Sequence, residues 1–239
     1  MNNSQSTLAT VFCVRTKQPP NCADAECIAY CGNTGFPYLC KSADSDPGLP
    51  AREWICTHLA GACGLPVPNC AQVKIDGRSD ILFGSEWAGG TKAYYQVFSE
   101  IQNPHIFSGT LAFDFASQNG DRHLNNYLYL EVHGQILIRL IDFSRSLNFD
   151  GWPMPQLPIG ASENTNIDFQ KWSAIHPFIK SEAEKIIDRW NSLPNDWMSN
   201  IIMTMPDEWM SVADRAIYTD WWASDARIQR GHEARKNLP

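Results

Sequence analysis

The 239-residue sequence is short of several things, and each shortage removes a class of protein. No stretch reaches the apolar length of a bilayer-spanning helix, and Met1 to Ser6 carry neither the basic nor the apolar region of a signal peptide. A soluble, cytoplasmic protein with no membrane partner is therefore expected. Positive charge is also scarce: 19 Lys and Arg stand against 26 Asp and Glu, for a net charge of −7 and a pI near 5.3. That balance argues against a general binder of nucleic acid or of anionic membranes, because both reward excess cation. Five basic residues, Arg215, Arg227, Arg230, Arg235 and Lys236, crowd into the last twenty-five positions, where a solvated tail or final helix is expected rather than a docking patch. There is no internal repeat and no low-complexity tract.

Cysteine is plentiful, but a CxxC pair is missing. Cys13, Cys22, Cys27, Cys31, Cys40, Cys56, Cys63 and Cys70 all fall in the first seventy residues. The spacing nearest to a metal-ligand pair is Cys27-x3-Cys31, while Cys40, Cys56 and Cys63 sit in apolar elements where a reduced thiol packs as a small hydrophobe. Reduced, metal-free thiols are the expectation.

What is present is a 44% hydrophobic chain, ordinary for a folded protein and long enough for one large domain or two lobes sharing a cleft. Residues 7–15 and 26–30 are apolar and β-branched, and with Pro37 to Lys41 they read as strands. From Pro50 the period changes: Ile55, Leu59 and Ala62 share one helical face, Pro50 suits the first turn and Gly64 the C-terminal cap. Strands are expected again over Val67 to Ile75 and Asp80 to Trp87, joined at Asp76-Gly77. Ala88-Gly89-Gly90 marks a change of composition. Downstream, Phe107, Leu111 and Phe115 recur at helical spacing, and a hairpin over Tyr127 to Val132 and Gln135 to Ile141 turns at His133-Gly134. Trp152 to Pro158 is too rich in proline for regular structure. Helices are expected over 166–176, 178–192, 194–204 and 206–231, punctuated by Pro177, Pro194 and Pro206. The fold class is α+β, with residues 1–87 forming a strand-rich N-terminal lobe with one helix and residues 88–239 a larger helical C-terminal lobe.

The chemistry concentrates in residues 120 to 142. Asp121 is followed five positions later by Asn126, and Asp142 stands at the end of the apolar strand Ile136 to Ile141. Phosphoryl transfer needs cations on the phosphates, oxygen ligands for Mg²⁺ and a group that orients the attacking hydroxyl. Asp142, a hard carboxylate, fits one metal ligand and Asn126, an uncharged oxygen donor, the other. Asp121 fits the group that accepts or orients the hydroxyl proton. Upstream, Lys41 ends a strand and Glu53 lies on the next amphipathic helix, a spacing that suits a cation for phosphates and its acidic partner.

Gly120-Asp-Arg-His-x-x-Asn126 followed by Ile141-Asp-Phe resembles the catalytic and metal-binding loops of the phosphatidylinositol 3- and 4-kinase superfamily. Together with Tyr38-Leu-Cys-Lys41, Arg52-Glu-Trp-Ile-Cys-x-x-Leu-Ala-x-x-Cys-Gly-Leu-Pro-Val-Pro68 and Phe113-Asp-x-x-x-x-Asn-Gly-Asp-Arg-His-Leu-x-Asn126, the pattern looks most like bacterial HipA-like kinases. The matched blocks run from about residue 36 to residue 144. The resemblance implies a bilobal protein-kinase-like fold and an ATP- and Mg²⁺-dependent transfer, with Lys41 on the nucleotide phosphates and Glu53 paired to it. His123 would stand beside the transferring group or brace the loop by hydrogen bonds, and Arg122 would tie the loop down. Backbone groups of Glu86 and Trp87 would contact adenine, and the loop Cys31-Gly32-Asn33-Thr34-Gly35 sits where a phosphate-covering loop belongs, with Thr34 a candidate for autophosphorylation.

The departures are also informative. Ser144 stands where many kinases have glycine, and no Ala-Pro-Glu-type anchor follows, so an ordinary activation-segment phosphosite is not expected. The sequence is much shorter than full HipA proteins, so their accessory elements and their choice of target do not carry over. The expected acceptor is a serine or threonine hydroxyl of a protein, with an antitoxin or regulatory protein as a possible further partner. A degenerate kinase fold used for binding, and a lipid or small-molecule kinase, are the alternatives.

Overall fold

Five strands in the first ninety residues close into a barrel. The computed structural model describes residues 10–19, 24–32, 34–44, 46–87, 91–147 and 159–239. The strands are β1 (Val11–Lys17), β2 (Cys27–Cys31), β3 (Pro37–Lys41), β4 (Cys70–Ile75) and β5 (Ile81–Glu86), in the order β1-β2-β3-β5-β4. Closure comes from the parallel pairing of β1 with β4, Val11 opposite Val73 and Cys13 opposite Ile75. Linear periodicity carries no sign of that long-range pairing. Pairing with β2, Thr16 opposite Ala29 and Lys17 opposite Ile28, carries β1 on to Lys17, beyond the expected end at residue 15; positions 7–9 of that expectation lie outside the described residues. β4 begins only at Cys70 because Pro66 and Pro68 have no N–H to give a ladder. Val11, Ala29, Tyr38, Val73 and Leu82 fill the interior. Gly84 is required there: a Cβ on it would stand 2.4 Å from Val73 Cγ2 and 3.1 Å from Tyr38 Cβ.

The barrel corrects the expectation for cysteine. Cys13 and Cys31 face each other directly across β1 and β2, with Cα atoms 4.2 Å apart, and are joined as a disulfide. Eighteen residues of sequence hide this contact, which the antiparallel register creates. Cys27 and Cys40 are likewise opposed across β2 and β3, as free, buried thiols. Cys56, Cys63 and Cys70 are free and buried, Cys22 lies outside the described residues, and no cluster of three or more potential metal ligands occurs among those described.

Helix α1 (Leu49–Ala62) crosses from the barrel to the rest of the chain. Pro50 occupies its first turn and Gly64, at φ +85°, follows its end, as expected. The expectation of one apolar face is too narrow. Arg52, Glu53 and Thr57 are buried along with Trp54, Ile55 and Leu59, because α1 is packed on both sides. After the short α2 (Tyr94–Val97) comes α3 (His105–Ser117), buried at every position from Ile106 onward. A helix buried around its whole circumference belongs at the centre of a core, and its polar side chains Thr110 and Asp114 are hydrogen-bonded there. The hairpin of β6 (Tyr127–Val132) and β7 (Gln135–Leu140) turns at His133 and Gly134, both at positive φ, the geometry that a two-residue turn needs.

Helices α4 (Asn164–Ser173), α5 (Lys180–Ser192) and α6 (Trp197–Ile202) fall where the proline punctuation places them. The single helix expected over 206–231 is instead a 3₁₀ turn (Asp207–Trp209), α7 (Val212–Ala223) and α8 (Asp225–Lys236). Ser224, extended at φ −86° and ψ 169°, ends α7, and its hydroxyl caps α8 by accepting from Ala226 N–H. The basic end is a final helix, as expected, but it is not wholly solvated. Arg227 and Arg230 are buried; Arg227 lies over the Trp222 ring at 4.7 Å and donates to the carbonyls of Trp190 and Leu193. The core joins α1, α3, the hairpin and the C-terminal helices through Trp54, Phe107, Phe113 and Trp190. The C-terminal part is tied both to α1 and to the barrel: Trp54 Nε1 donates to Thr204 Oγ1 at 3.1 Å, and Trp209 Nε1 to the Ile81 carbonyl at 2.7 Å. Among the described residues no helix is long and apolar enough to cross a membrane. The expected link at 88–90 and the proline-rich stretch 152–158 lie outside the described residues.

Candidate active site

Lys41, the last residue of β3, turns inward and meets two carboxylates. Its Nζ lies 2.6 Å from Glu53 Oε1 and 2.9 Å from Asp142 Oδ1. Glu53, on the second turn of α1, also accepts the backbone N–H of Phe143 at 3.1 Å, so one carboxylate holds both the lysine and the chain beside Asp142. Asp142 leaves β7 with φ +61°, a left-handed conformation that costs energy outside glycine and that the surrounding bonds must sustain.

Electrostatics favour the charged forms of Lys41 and Asp142. Burial works against the Lys41 ammonium, but Glu53 and Asp142 outweigh it and raise its pKa. Burial would also raise Asp142; Lys41, a hydrogen bond from Ser144 and the charge of Arg122 overcome this and hold it well below the usual carboxylate range. Burial raises Glu53, with Lys41 opposing it.

The catalytic-loop motif follows α3, whose end is marked by Gln118 at φ +57°. Arg122 is buried and forked on Asp114, with Nε to Oδ2 at 2.9 Å and Nη2 to Oδ1 at 3.1 Å. Its remaining nitrogen reaches the carbonyl of Ile141 at 2.5 Å and those of Asn126 and Asp142 at 3.3 Å. One guanidinium therefore ties the loop of Asp121 to the loop of Asp142, the bracing role that the motif implied for it. Asn126 Nδ2 donates to the Asp121 carbonyl at 3.2 Å, which turns its Oδ1 away from that bond. Asn126 Oδ1 and Asp142 Oδ2 are thus hard oxygens on two rigid loops, a donor set that suits Mg²⁺ completed by phosphate and water.

Lys41, Glu53, His123, Asn126 and Asp142 line one cavity of about 270 Å³, floored by apolar side chains that include Leu39, Phe83 and Leu128. His123 Nδ1 is buried with no hydrogen-bond partner among the described residues, so that nitrogen does not brace the loop. Glu86 and Trp87 stand at the rim, but their N–H groups already donate to the carbonyls of Asn69 and Pro37, both at 2.8 Å. A base could use only their other groups. Asp121 lies just outside the lining, two residues from His123. Gly32, Thr34 and Gly35 form the tight turn between β2 and β3, with Gly35 at φ +72°, and do not line the cavity; Asn33 lies outside the described residues. A larger groove of about 850 Å³ adjoins at Asp24 and contains none of these site residues.

Sequence reading assigned no role to Asp114, Asn119, Arg52, Asn164 or Thr165. Asp114 and Asn119 fall within the motif, Asn119 donating to Asp114 at 3.1 Å. Arg52 pairs with Asp46 and donates to the Ser144 carbonyl at 2.7 Å, fixing the far side of the Asp142 loop. Thr165 and Asn164 approach the catalytic loop from more than forty residues away, and no local signal announces them.

The chain superposes on the crystal structure of the Helicobacter pylori proinflammatory kinase CtkA with a TM-score of 0.63, over 97% of this chain and 100% of that one, at 12% sequence identity. The fold is a kinase fold. Another neighbour is HipA from Shewanella oneidensis MR-1, solved in a toxin–antitoxin complex with HipB and operator DNA. It matches with a TM-score of 0.49 and 15% identity over 84% of this chain and 60% of that one. No family model and no curated protein matches the sequence. At 12% identity the likeness to CtkA is one of fold.

Proposed function

We propose that this chain is an ATP- and Mg²⁺-dependent phosphotransferase of HipA-like type that phosphorylates a serine or threonine hydroxyl of a protein. In this reading residues 1–87 and 88–239 are the two lobes of one kinase domain, and the cavity between them takes the nucleotide. One observation carries it: Lys41 bridges Glu53 and Asp142 in the same cavity that Asn126 and His123 line. A merely structural lysine would gain little from a second buried carboxylate, since ionising both costs desolvation.

The residues divide the work. Lys41 supplies a fixed positive charge for nucleotide phosphates, and Glu53 keeps it from folding back onto the protein surface. Asn126 and Asp142 would hold Mg²⁺, which when bound neutralises charge on the phosphate oxygens. Asp121 accepts or orients the proton of the acceptor hydroxyl. His123 lines the cavity, where its ring would stand beside the transferring group, and Arg122 keeps the two loops in register. Regulation by an antitoxin-like protein remains part of the proposal through the HipA-like motifs.

The test is transfer from γ-labelled ATP with Mg²⁺, with and without cell lysate, alongside Asp121→Asn and Asp142→Ala. Label in a protein band with wild type only is the expected result. Binding of ATP without transfer would point to a binding protein instead, and label in extracted lipid to a lipid kinase.

A further inference from the structure

The first two residues of α4 close on the catalytic loop, and they do so in different ways. Thr165, buried, fastens the backbone at three points: its N–H donates to the Gly120 carbonyl at 3.1 Å, its Oγ1 donates to the Asn119 carbonyl at 2.6 Å, and the same oxygen accepts from Arg122 N–H at 3.0 Å. With the backbone fixed in this way, Asn164 delivers its side chain to Asp121, Nδ2 lying 2.6 Å from Oδ1. A carboxylate can only accept, so the amide must present its NH₂ here, and the direction of the bond follows from the chemistry.

The rest of Asp121 is held from the opposite side. Its N–H donates to Asn119 Oδ1 and its carbonyl accepts from Asn126 Nδ2, both at 3.2 Å. Those bonds fix the main chain but leave the carboxylate free to rotate. Among the described residues, Asn164 is the side chain that bonds the carboxylate itself.

We propose that Asn164 is a positioning residue for phosphoryl transfer: it pins Oδ1 of Asp121 and so aims Oδ2 at the acceptor hydroxyl. This rests on the phosphotransferase reading above, in which Asp121 handles that hydroxyl. A carboxylate aimed in advance saves the rotational search that a free one would make in each turnover. Asn164 does not touch the reacting atoms, so its loss should lower the rate of transfer without weakening nucleotide binding.

The experiment compares wild type with Asn164→Ala, Asn164→Asp, Asp121→Ala and the double variant Asn164→Ala/Asp121→Ala. Transfer from γ-labelled ATP is measured with myelin basic protein as a general acceptor. Asn164→Ala is expected to lower kcat about 10- to 100-fold, the range for losing one hydrogen bond to a charged group, and to leave KM for ATP unchanged. Asn164→Asp should be worse than alanine, because it sets a like charge against Asp121. In the Asp121→Ala background the alanine at 164 should cost nothing further. An unchanged kcat, a parallel rise in KM, or an additive loss in the double variant would overturn the proposal.

A second readout needs no activity. The side-chain amide resonance of Asn164 should move when Asp121 is replaced by alanine, and a resonance that stays put overturns the contact. Wild type that transfers no phosphate overturns the phosphotransferase reading and the role of Asn164 with it, while the resonance separately decides whether the two side chains bond.

Discussion

The ammonium of Lys41 meets the carboxylate of Asp142 at 2.9 Å across 101 positions of chain, and Glu53 completes the contact from α1. The barrel, the first long helix and the end of the hairpin are thus joined through one nitrogen. Removing it leaves two carboxylates facing each other in a buried place. Lys41→Met is expected to abolish transfer and to destabilise the protein by about 3–5 kcal/mol, the usual cost of an uncompensated buried charge. Urea denaturation should show part of that loss restored in Lys41→Met/Glu53→Gln, because glutamine removes the unpaired charge while keeping the acceptor for Phe143 N–H.

Arg122 and Asp114 form a second buried pair, and here the cost falls on two loops at once. Asp114→Ala is expected to destabilise by about 3–5 kcal/mol and also to release the Ile141 and Asn126 carbonyls from a fixed donor. Asp114→Asn, which keeps an acceptor, should fall between that variant and wild type. Chemical denaturation ranks the three, and amide exchange at residues 141–143 reports whether the Asp142 loop has loosened.

Burial pushes the Cys63 and Cys70 thiols up to about 12, from 9.0 for a free thiol. Between those values the unfolded chain releases protons that the folded chain keeps. Stability therefore is complete below pH 9 and falls as pH rises through the window toward 12, by about 1.4 kcal/mol per pH unit for each thiol. Urea midpoints measured from pH 9 to 11 should fall less steeply in Cys63→Ser and Cys70→Ser than in wild type. Iodoacetamide at pH 8 should leave both cysteines unmodified until the protein is unfolded.

Gly84→Ala forces a methyl group into the barrel against Val73 and Tyr38. A loss of about 1–3 kcal/mol is expected from overpacking, visible as a lowered thermal midpoint. Pairing it with Val73→Ala should recover part of the loss, since the contact at 2.4 Å is with a Val73 methyl.

Local signals in the sequence carried the elements and the polar centre of the site. His133-Gly134 marks a hairpin because only a few residue types accept positive φ, and Pro50 and Gly64 bracket α1 for equally local reasons. Lys41, Glu53, Asn126 and Asp142 were legible through their side-chain types and the motifs that carry them, and the fold brings all four to one cavity. What stayed hidden depends on contacts distant in sequence. The Cys13 to Cys31 bond needs the β1–β2 register, barrel closure needs β1 beside β4, and Thr165 meets Arg122 across a separation of 43 residues. The break at Ser224 was missed because a serine inside a periodic stretch is ordinary until its hydroxyl is seen to cap. Arg227 was misplaced for a related reason: a guanidinium stacked on Trp222 can be buried, and composition alone counts it as surface.

The bond from the Trp209 indole to Ile81 has a mechanical consequence. Ile81 opens β5, and the other end of that strand, at Glu86, forms part of the cavity rim. Paired along its length with β3 and β4, the strand is a stiff beam between the two. Displacement of the rim is then resisted at the opposite end of the strand as well, by an indole that lines no part of the cavity.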